Sequence, residues 1–183
     1  ICEGQALDMM FEEAESVSEE EYLVMVEKKT AALFKASARC GALVSDAAPE
    51  HVDAIGEFAR YCGIAFQIVD DVLGVVADEK KLGKPVGSDL REGKRTIIVI
   101  KALEALSPED RAKLLKVLGN RSASQEEIKE VIDLLVSSGC VDYAKQVALS
   151  FLERAKQELL KLPPGRSRDR LLDLASFLVE RAY

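Results

Sequence analysis

One run of residues constrains the fold of this 183-residue chain more than any other. From Pro49 to about Ala77, apolar side chains recur at Val52, Ile55, Ala59, Cys62, Phe66, Val69, Leu73 and Val76. Steps of three and four residues in alternation trace one face of a long α-helix. Pro49 suits the first turn of that helix, and Glu50 suits the positive end of its dipole. Other segments repeat the period. Apolar residues run from Glu19 to about Val44, including Tyr22, Val26, Leu33 and Phe34, and a further apolar helix is predicted from about Arg95 to Leu106. Ser107-Pro108-Glu109-Asp110 reads as a cap opening a helix to about Leu118, and Ser124 with Glu127 forms a capping-box pattern for a helix to about Val136. Gly139 closes that helix. Helices from about Val141 to Leu162 and from about Ser167 to Arg181 flank the turn Pro163-Pro164-Gly165. No segment alternates with a strand period, so the expected class is all-α.

Composition removes several classes of function. The net charge of −7 argues against a surface built to grip nucleic acid. No stretch of about 18 apolar residues predicts a membrane span. Cys2, Cys40, Cys62 and Cys140 form no CxxC pair, and His51 is the sole histidine, so a zinc site is not expected. Reduced thiols in a cytoplasmic setting are expected instead, with Cys62 as a small buried hydrophobe. The chain opens Ile1-Cys2-Glu3-Gly4, which reads as a piece of a longer protein.

Two neighbouring features point to chemistry. Asp70 and Asp71 lie deep in the most hydrophobic helix, within FQIVDDVLG. Helical spacing sets Gln67, Asp70, Asp71, Gly74 and Asp78 along one side, with Asp70 bordering the packed face between Phe66 and Leu73. Buried carboxylates need a partner, and adjacent ones repel. A Mg2+ ion, held by one or two carboxylates together with phosphate oxygens, would answer both needs. The plain alternative is a solvent-exposed pair, or one matched by lysines. Residues Asp78 to Arg95 follow, reading DEKKLGKPVGSDLREGKR, with six cations against four acids. Three glycines and a proline make this largely a loop. Carboxylates on a helix followed by a basic loop suit Mg2+ and a diphosphate, whose remaining charge the lysines neutralise. Lys29 and Thr30, on the preceding helix, would add another cation and a hydroxyl. GKRT is not the tail of a GxxxxGK[ST] loop, because the first glycine is at the wrong distance and no strand precedes it.

FQIVDDVLG followed by LGKPVGSDLREGKRT resembles the second aspartate-rich motif and following loop of the trans-isoprenyl diphosphate synthases, the polyprenyl synthetases. Gly4-Gln5-Ala6-Leu7-Asp8 resembles that family's GQxxD segment. Tyr22, with Lys29-Thr30-Ala31-Ala32-Leu33-Phe34 beyond it, resembles its Y-x6-KTxxLF helix, and Gly41-Ala42 its GA pair. The match runs in order from about residue 3 to 101.

The resemblance implies an isoprenoid synthase-type helical bundle, of which residues 1–183 form one helical domain, the C-terminal half of a larger prenyltransferase domain. It implies a homodimer and Mg2+-dependent head-to-tail condensation of an allylic diphosphate with isopentenyl diphosphate, of farnesyl or geranylgeranyl type. Asp70 and Asp71 would hold Mg2+, Lys29, Lys84 and Lys94 would bind the allylic diphosphate, and Thr30 and Gln67 would lie near the breaking C–O bond.

Two departures qualify the match. The family's third aspartate is Gly74 here, and its first aspartate-rich motif, expected before Gln5, is absent. The isolated chain is therefore expected to be inactive. An Asp restored at position 74 is expected to raise metal-dependent activity in a catalytic chain. It is expected to do little in a non-catalytic subunit of a heteromeric synthase, the alternative that Gly74 favours. A plain helical interaction module with a surface DD pair is the third reading.

Overall fold

The computed structural model describes residues 1–76 and 86–180; Asp78, Lys80, Lys81, Lys84 and Tyr183 lie outside them. The described residues form ten α-helices and one π-helical segment, with no strand among them. Helix α1 is Cys2–Glu13 and α2 is Glu19–Val26; a π-helical turn, Glu27–Ala31, leads without a break into α3, Ala32–Val44. Then follow α4 (Pro49–Val76), α5 (Ser88–Glu92), α6 (Ile97–Ala105), α7 (Pro108–Val117), α8 (Gln125–Ser137), α9 (Cys140–Leu159) and α10 (Arg166–Glu180).

Helix α4 is the axis. It packs against α9 on one flank and α3 on another, with α10, α6 and the π-helical turn also against it. The sequence predicted one apolar face. The structure buries α4 nearly all round, because Ala54, Phe58, Ile64, Ala65, Ile68, Val72 and Val75 are buried along with Val52, Ala59, Cys62 and Val69. A helix enclosed on all sides carries apolar side chains on all sides. Each fully buried Ile or Val contributes about 1.5–3 kcal/mol relative to exposure.

The predicted caps form. Ser107 accepts from the Asp110 N–H, and Ser124 with Glu127 closes a reciprocal capping box. Gly139 holds φ at +78°, between α8 and α9. A further capping box, Ser18 with Glu21, opens α2. Each such cap contributes about 1 kcal/mol by satisfying N–H groups that the helix leaves unpaired.

Two sequence expectations are corrected. Residues 88–92 are not loop but a turn and a half of helix, bracketed by Gly87 and Gly93 in the left-handed region. The run from Glu19 to Val44 is not one uniform α-helix. At residues 27–31 it widens into a π turn, in which the Ala32 N–H donates to the Glu27 carbonyl, five residues back. Gly4 and Gly63 flank that turn. A Cβ on Gly4 would collide with the Lys28–Lys29 backbone, and one on Gly63 would lie 2.7 Å from the Ala31 Cα. The widened turn fits only because both neighbours lack side chains.

Candidate active site

Five segments meet at the C-terminal end of α4. A small pocket of about 40 Å³ is lined by Asp8 of α1, Tyr22 and Met25 of α2, Lys29 of the π turn, Gln67, Asp70 and Asp71 of α4, and Asp89, Lys94, Arg95 and Thr96 beyond the basic loop. Of the residues selected from the sequence, Lys29, Gln67, Asp70, Asp71 and Lys94 line this pocket together. Thr30 joins them through its hydroxyl, which donates to the Gln67 side-chain carbonyl over 2.8 Å. Lys84 lies outside the described residues.

The two aspartates are not equivalent. Asp70, expected to border the packed face, is the more exposed of the two. It makes no side-chain hydrogen bond or ion pair among the described residues. Asp71 is 8% exposed. The Tyr22 hydroxyl donates to its Oδ2 over 2.6 Å, and the Gln67 amide donates to its Oδ1 over 3.0 Å. Burial pushes the Asp71 carboxyl up to about 7; the two donors pull it down, and the charges of Asp89 and Asp70 push it further up. Burial beside this carboxyl also holds the Tyr22 phenol well above its ordinary value. A surface DD pair, the plain alternative, is thereby excluded for Asp71.

The lysines are held by carboxylates. Lys29 pairs with Asp8 over 2.5 Å, and both are largely shielded from solvent. Lys94 donates to Asp89 over 2.8 Å and to Glu92 over 3.1 Å. Burial disfavours the Lys94 cation, but these acids outweigh burial and raise it above its ordinary value. The neighbouring Lys28 and Glu27 are spent on Glu3 and Arg60. The charges at 27–29 thus enter three separate ion pairs, of which Lys28–Glu3 is solvent-exposed and Lys29–Asp8 is largely shielded. Arg95 donates to the Ala14 carbonyl, while its Nε and Nη1 are buried without a partner among the described residues.

Tyr22, Asp8, Asp89 and Arg95 were not selected from the sequence as site residues. Tyr22, Asp8 and Asp89 stand inside the motifs quoted above, yet nothing in spacing assigns them partners 49, 21 and 5 positions away.

Carboxylates, lysines and a hydroxyl–amide pair at the end of a central helix, inside an all-α fold of the isoprenoid synthase type, define the class. The polyprenyl synthetase family model matches residues 1–135. The chain belongs to the polyprenyl synthetase family. It is 46% identical over 183 residues to the short chain isoprenyl diphosphate synthase of Methanothermobacter thermautotrophicus, covering 100% of this chain and 56% of that protein. Among solved structures, the geranylgeranyl pyrophosphate synthetase of Pyrococcus horikoshii superposes with a TM-score of 0.88 at 45% identity, over 98% of this chain and 54% of the other. The polyprenyl synthase of Caulobacter crescentus, complexed with calcium and isoprenyl diphosphate, superposes with a TM-score of 0.93 at 29% identity, over 100% of this chain and 56% of the other. The chain thus spans about half the length of the relatives it matches.

Proposed function

We propose that this chain is the C-terminal half of a polyprenyl diphosphate synthase of the farnesyl or geranylgeranyl type. The reaction is the Mg2+-dependent head-to-tail condensation of an allylic diphosphate with isopentenyl diphosphate. The observation that carries this reading is the meeting of Lys29, Gln67, Asp70, Asp71 and Lys94 at one pocket, from segments far apart in sequence.

The donor set fits a divalent ion of the Mg2+ kind. The ligand atoms available on α4 are hard oxygens, and Asp70 keeps its lone pairs unspent. No cluster of three His, Cys, Asp or Glu able to hold a metal alone occurs among the described residues. Mg2+ usually takes one or two carboxylates and completes its shell with water and substrate phosphate. Asp70, backed by Asp71, would hold it, and bound there it supplies Lewis-acid stabilisation of the leaving diphosphate. The family and the calcium-bound Caulobacter relative support a divalent ion; the choice of Mg2+ is part of the proposal.

The chain's own residues then divide the work. Lys29 and Lys94 neutralise diphosphate oxygens as point charges, exchanging Asp8 and Asp89 for phosphate. The same role for Lys84 rests on the resemblance. Thr30 and Gln67 present oxygen dipoles to the carbon from which diphosphate departs, where positive charge develops. No nucleophilic side chain is needed, because the hard step is loss of diphosphate.

The family's first aspartate-rich motif is not among these 183 residues. The isolated chain is expected to be inactive, and turnover to require the upstream half. A non-catalytic subunit of a heteromeric synthase is the alternative that Gly74 favours, and the Gly74→Asp variant described below separates the two readings. The homodimer is supported by the resemblance. A reducing cytoplasmic setting is supported by four free thiols, two of them exposed, and no helix among the described residues is long and apolar enough to cross a membrane.

The test is condensation of labelled isopentenyl diphosphate by the full-length protein, with Mg2+ and allylic diphosphates of increasing length. Asp70→Asn should raise the Mg2+ concentration for half-maximal rate about tenfold or more. A full-length protein that forms no prenyl product with any of these acceptors would refute the reading.

A further inference from the structure

Four side chains form an unbroken chain of hydrogen bonds from the core to the pocket rim. The Tyr22 hydroxyl donates to Asp71 Oδ2. Gln67 Nε2 donates to Asp71 Oδ1. The Thr30 hydroxyl donates to Gln67 Oε1. Tyr22 is 1% exposed, with its hydroxyl committed to Asp71.

The direction of every bond follows from the first. In its ionised form, the Asp71 carboxylate can only accept, so both of its neighbours then donate, as they do here. Tyr22 has a single proton, and it goes to Asp71. Gln67 must turn its NH2 group toward Asp71, which leaves its carbonyl facing Thr30. That carbonyl can only accept, so the Thr30 proton is committed to Gln67. The Thr30 oxygen therefore keeps lone pairs, not a proton, for whatever stands in front of it. Turning Gln67 over would set its carbonyl against the carboxylate, break that bond and reverse the other, so that Thr30 would accept from Gln67 and its proton would be free to face the pocket.

We propose that Tyr22 and Asp71 are positioning residues that fix the polarity of Gln67 and Thr30, and that Asp71 serves this purpose rather than binding the metal directly. The inference rests on the synthase reading given above and assigns the two aspartates different tasks. Asp70, with no hydrogen bond among the described residues, is the ligand. Asp71, with both oxygens already spent, is the fixed negative end of the relay. A carbon that becomes positive as diphosphate leaves is stabilised by an oxygen lone pair and destabilised by a hydroxyl proton, so polarity acts on the chemical step and not on capture of the substrate.

The full-length synthase with Tyr22→Phe, Asp71→Asn, the double variant and Asp70→Asn tests this, using steady-state rates at varied Mg2+ and allylic diphosphate. Tyr22→Phe removes one bond and should lower kcat about tenfold, with KM for the allylic diphosphate and the half-saturating Mg2+ changed less than about twofold. Asp71→Asn frees Gln67 to turn over and should lower kcat further, again leaving the Mg2+ requirement in place. The double variant should be no slower than Asp71→Asn alone, since both act through one relay. Unfolding midpoints identify the folded variants. Should Tyr22→Phe not fold, Gln67→Met breaks the relay from the pocket side and should show the same kcat loss, absorbed when combined with Asp71→Asn.

An Asp71→Asn variant whose Mg2+ requirement rises as steeply as that of Asp70→Asn would make Asp71 a direct ligand and overturn the inference alone. Unchanged kcat in Tyr22→Phe, or losses that simply multiply in the double variant, would overturn it as well. A wild-type enzyme that forms no product overturns the synthase reading and the inference with it.

Discussion

The carboxylate of Asp89 fills the space in which a side chain at position 74 would begin: a Cβ built on Gly74 would stand 2.8 Å from Asp89 Oδ2. The other oxygen of Asp89 is bonded to Lys94, and the Gly87 N–H donates to the Gly74 carbonyl, which ties the far end of the basic loop to α4. The missing side chain at position 74 leaves room beside α4 for the carboxylate of Asp89 on α5.

This crowding argues against the gain expected from the sequence for an Asp at position 74. Gly74→Asp sets a second carboxylate against Asp89 and displaces it from Lys94. Stability should fall by about 1–3 kcal/mol, and metal-dependent activity of the full-length protein should drop rather than rise. Gly74→Ala should cost less, because Asp89 can yield by a few tenths of an ångström. Chemical unfolding of both variants beside an activity assay checks the order. A gain of activity in Gly74→Asp would show that the site accommodates both carboxylates.

The π turn gives a second prediction, with its own control. Gly63→Ala puts a methyl group 2.7 Å from the Ala31 Cα and 3.2 Å from the Phe34 ring, with backbone on one side that cannot yield. It should destabilise the chain by about 1–3 kcal/mol. Gly41→Ala, in α3 with nothing within 4 Å of the new Cβ, should instead stabilise by about 0.5–1 kcal/mol. Thermal unfolding midpoints should therefore move in opposite directions.

Asp71 predicts a slope of stability with pH. Its carboxyl rises from an ordinary 3.8 to about 7 on folding, mainly because it is buried. Between those values the folded chain holds a proton that the unfolded chain has released. Stability from this group is full below about pH 4 and is lost as pH rises toward 7, by up to about 1.4 kcal/mol per unit. Urea unfolding of the 183-residue chain without divalent metal, at pH 5, 6 and 7, should show this component. In Asp71→Asn it should vanish.

The thiols should divide by burial. Cys2 and Cys40 are exposed, whereas Cys62 and Cys140 are buried, and burial pushes the Cys62 thiol up to about 12. Iodoacetamide at pH 8 should modify two cysteines in the native chain and all four once it is unfolded. Peptide mass mapping distinguishes the sites. Native labelling of Cys62 would contradict the packing of α4.

Local chemistry carried far in this chain. The three-and-four spacing of apolar residues from Val52 to Val76 determined α4, the serines at 107 and 124 determined two helix starts, and FQIVDD with the basic residues beyond it marked the site. Each of these signals acts within a few residues of its effect, through helix period, capping or turn chemistry. What the sequence did not determine was depth and partnership. Periodicity orders residues around a helix, but it does not say how many sides its neighbours will cover, so α4 was read with one buried face and is enclosed on nearly all. The same limit hid which aspartate is inside, since Asp70 and Asp71 differ by one step on one helix and only α2, bringing Tyr22, makes the second the buried one. The pairings of Lys29 with Asp8 and of Gly74 with Asp89, and the π turn seated between Gly4 and Gly63, were likewise decided by packing. Each depends on how closely two backbones approach, a distance that no single segment encodes.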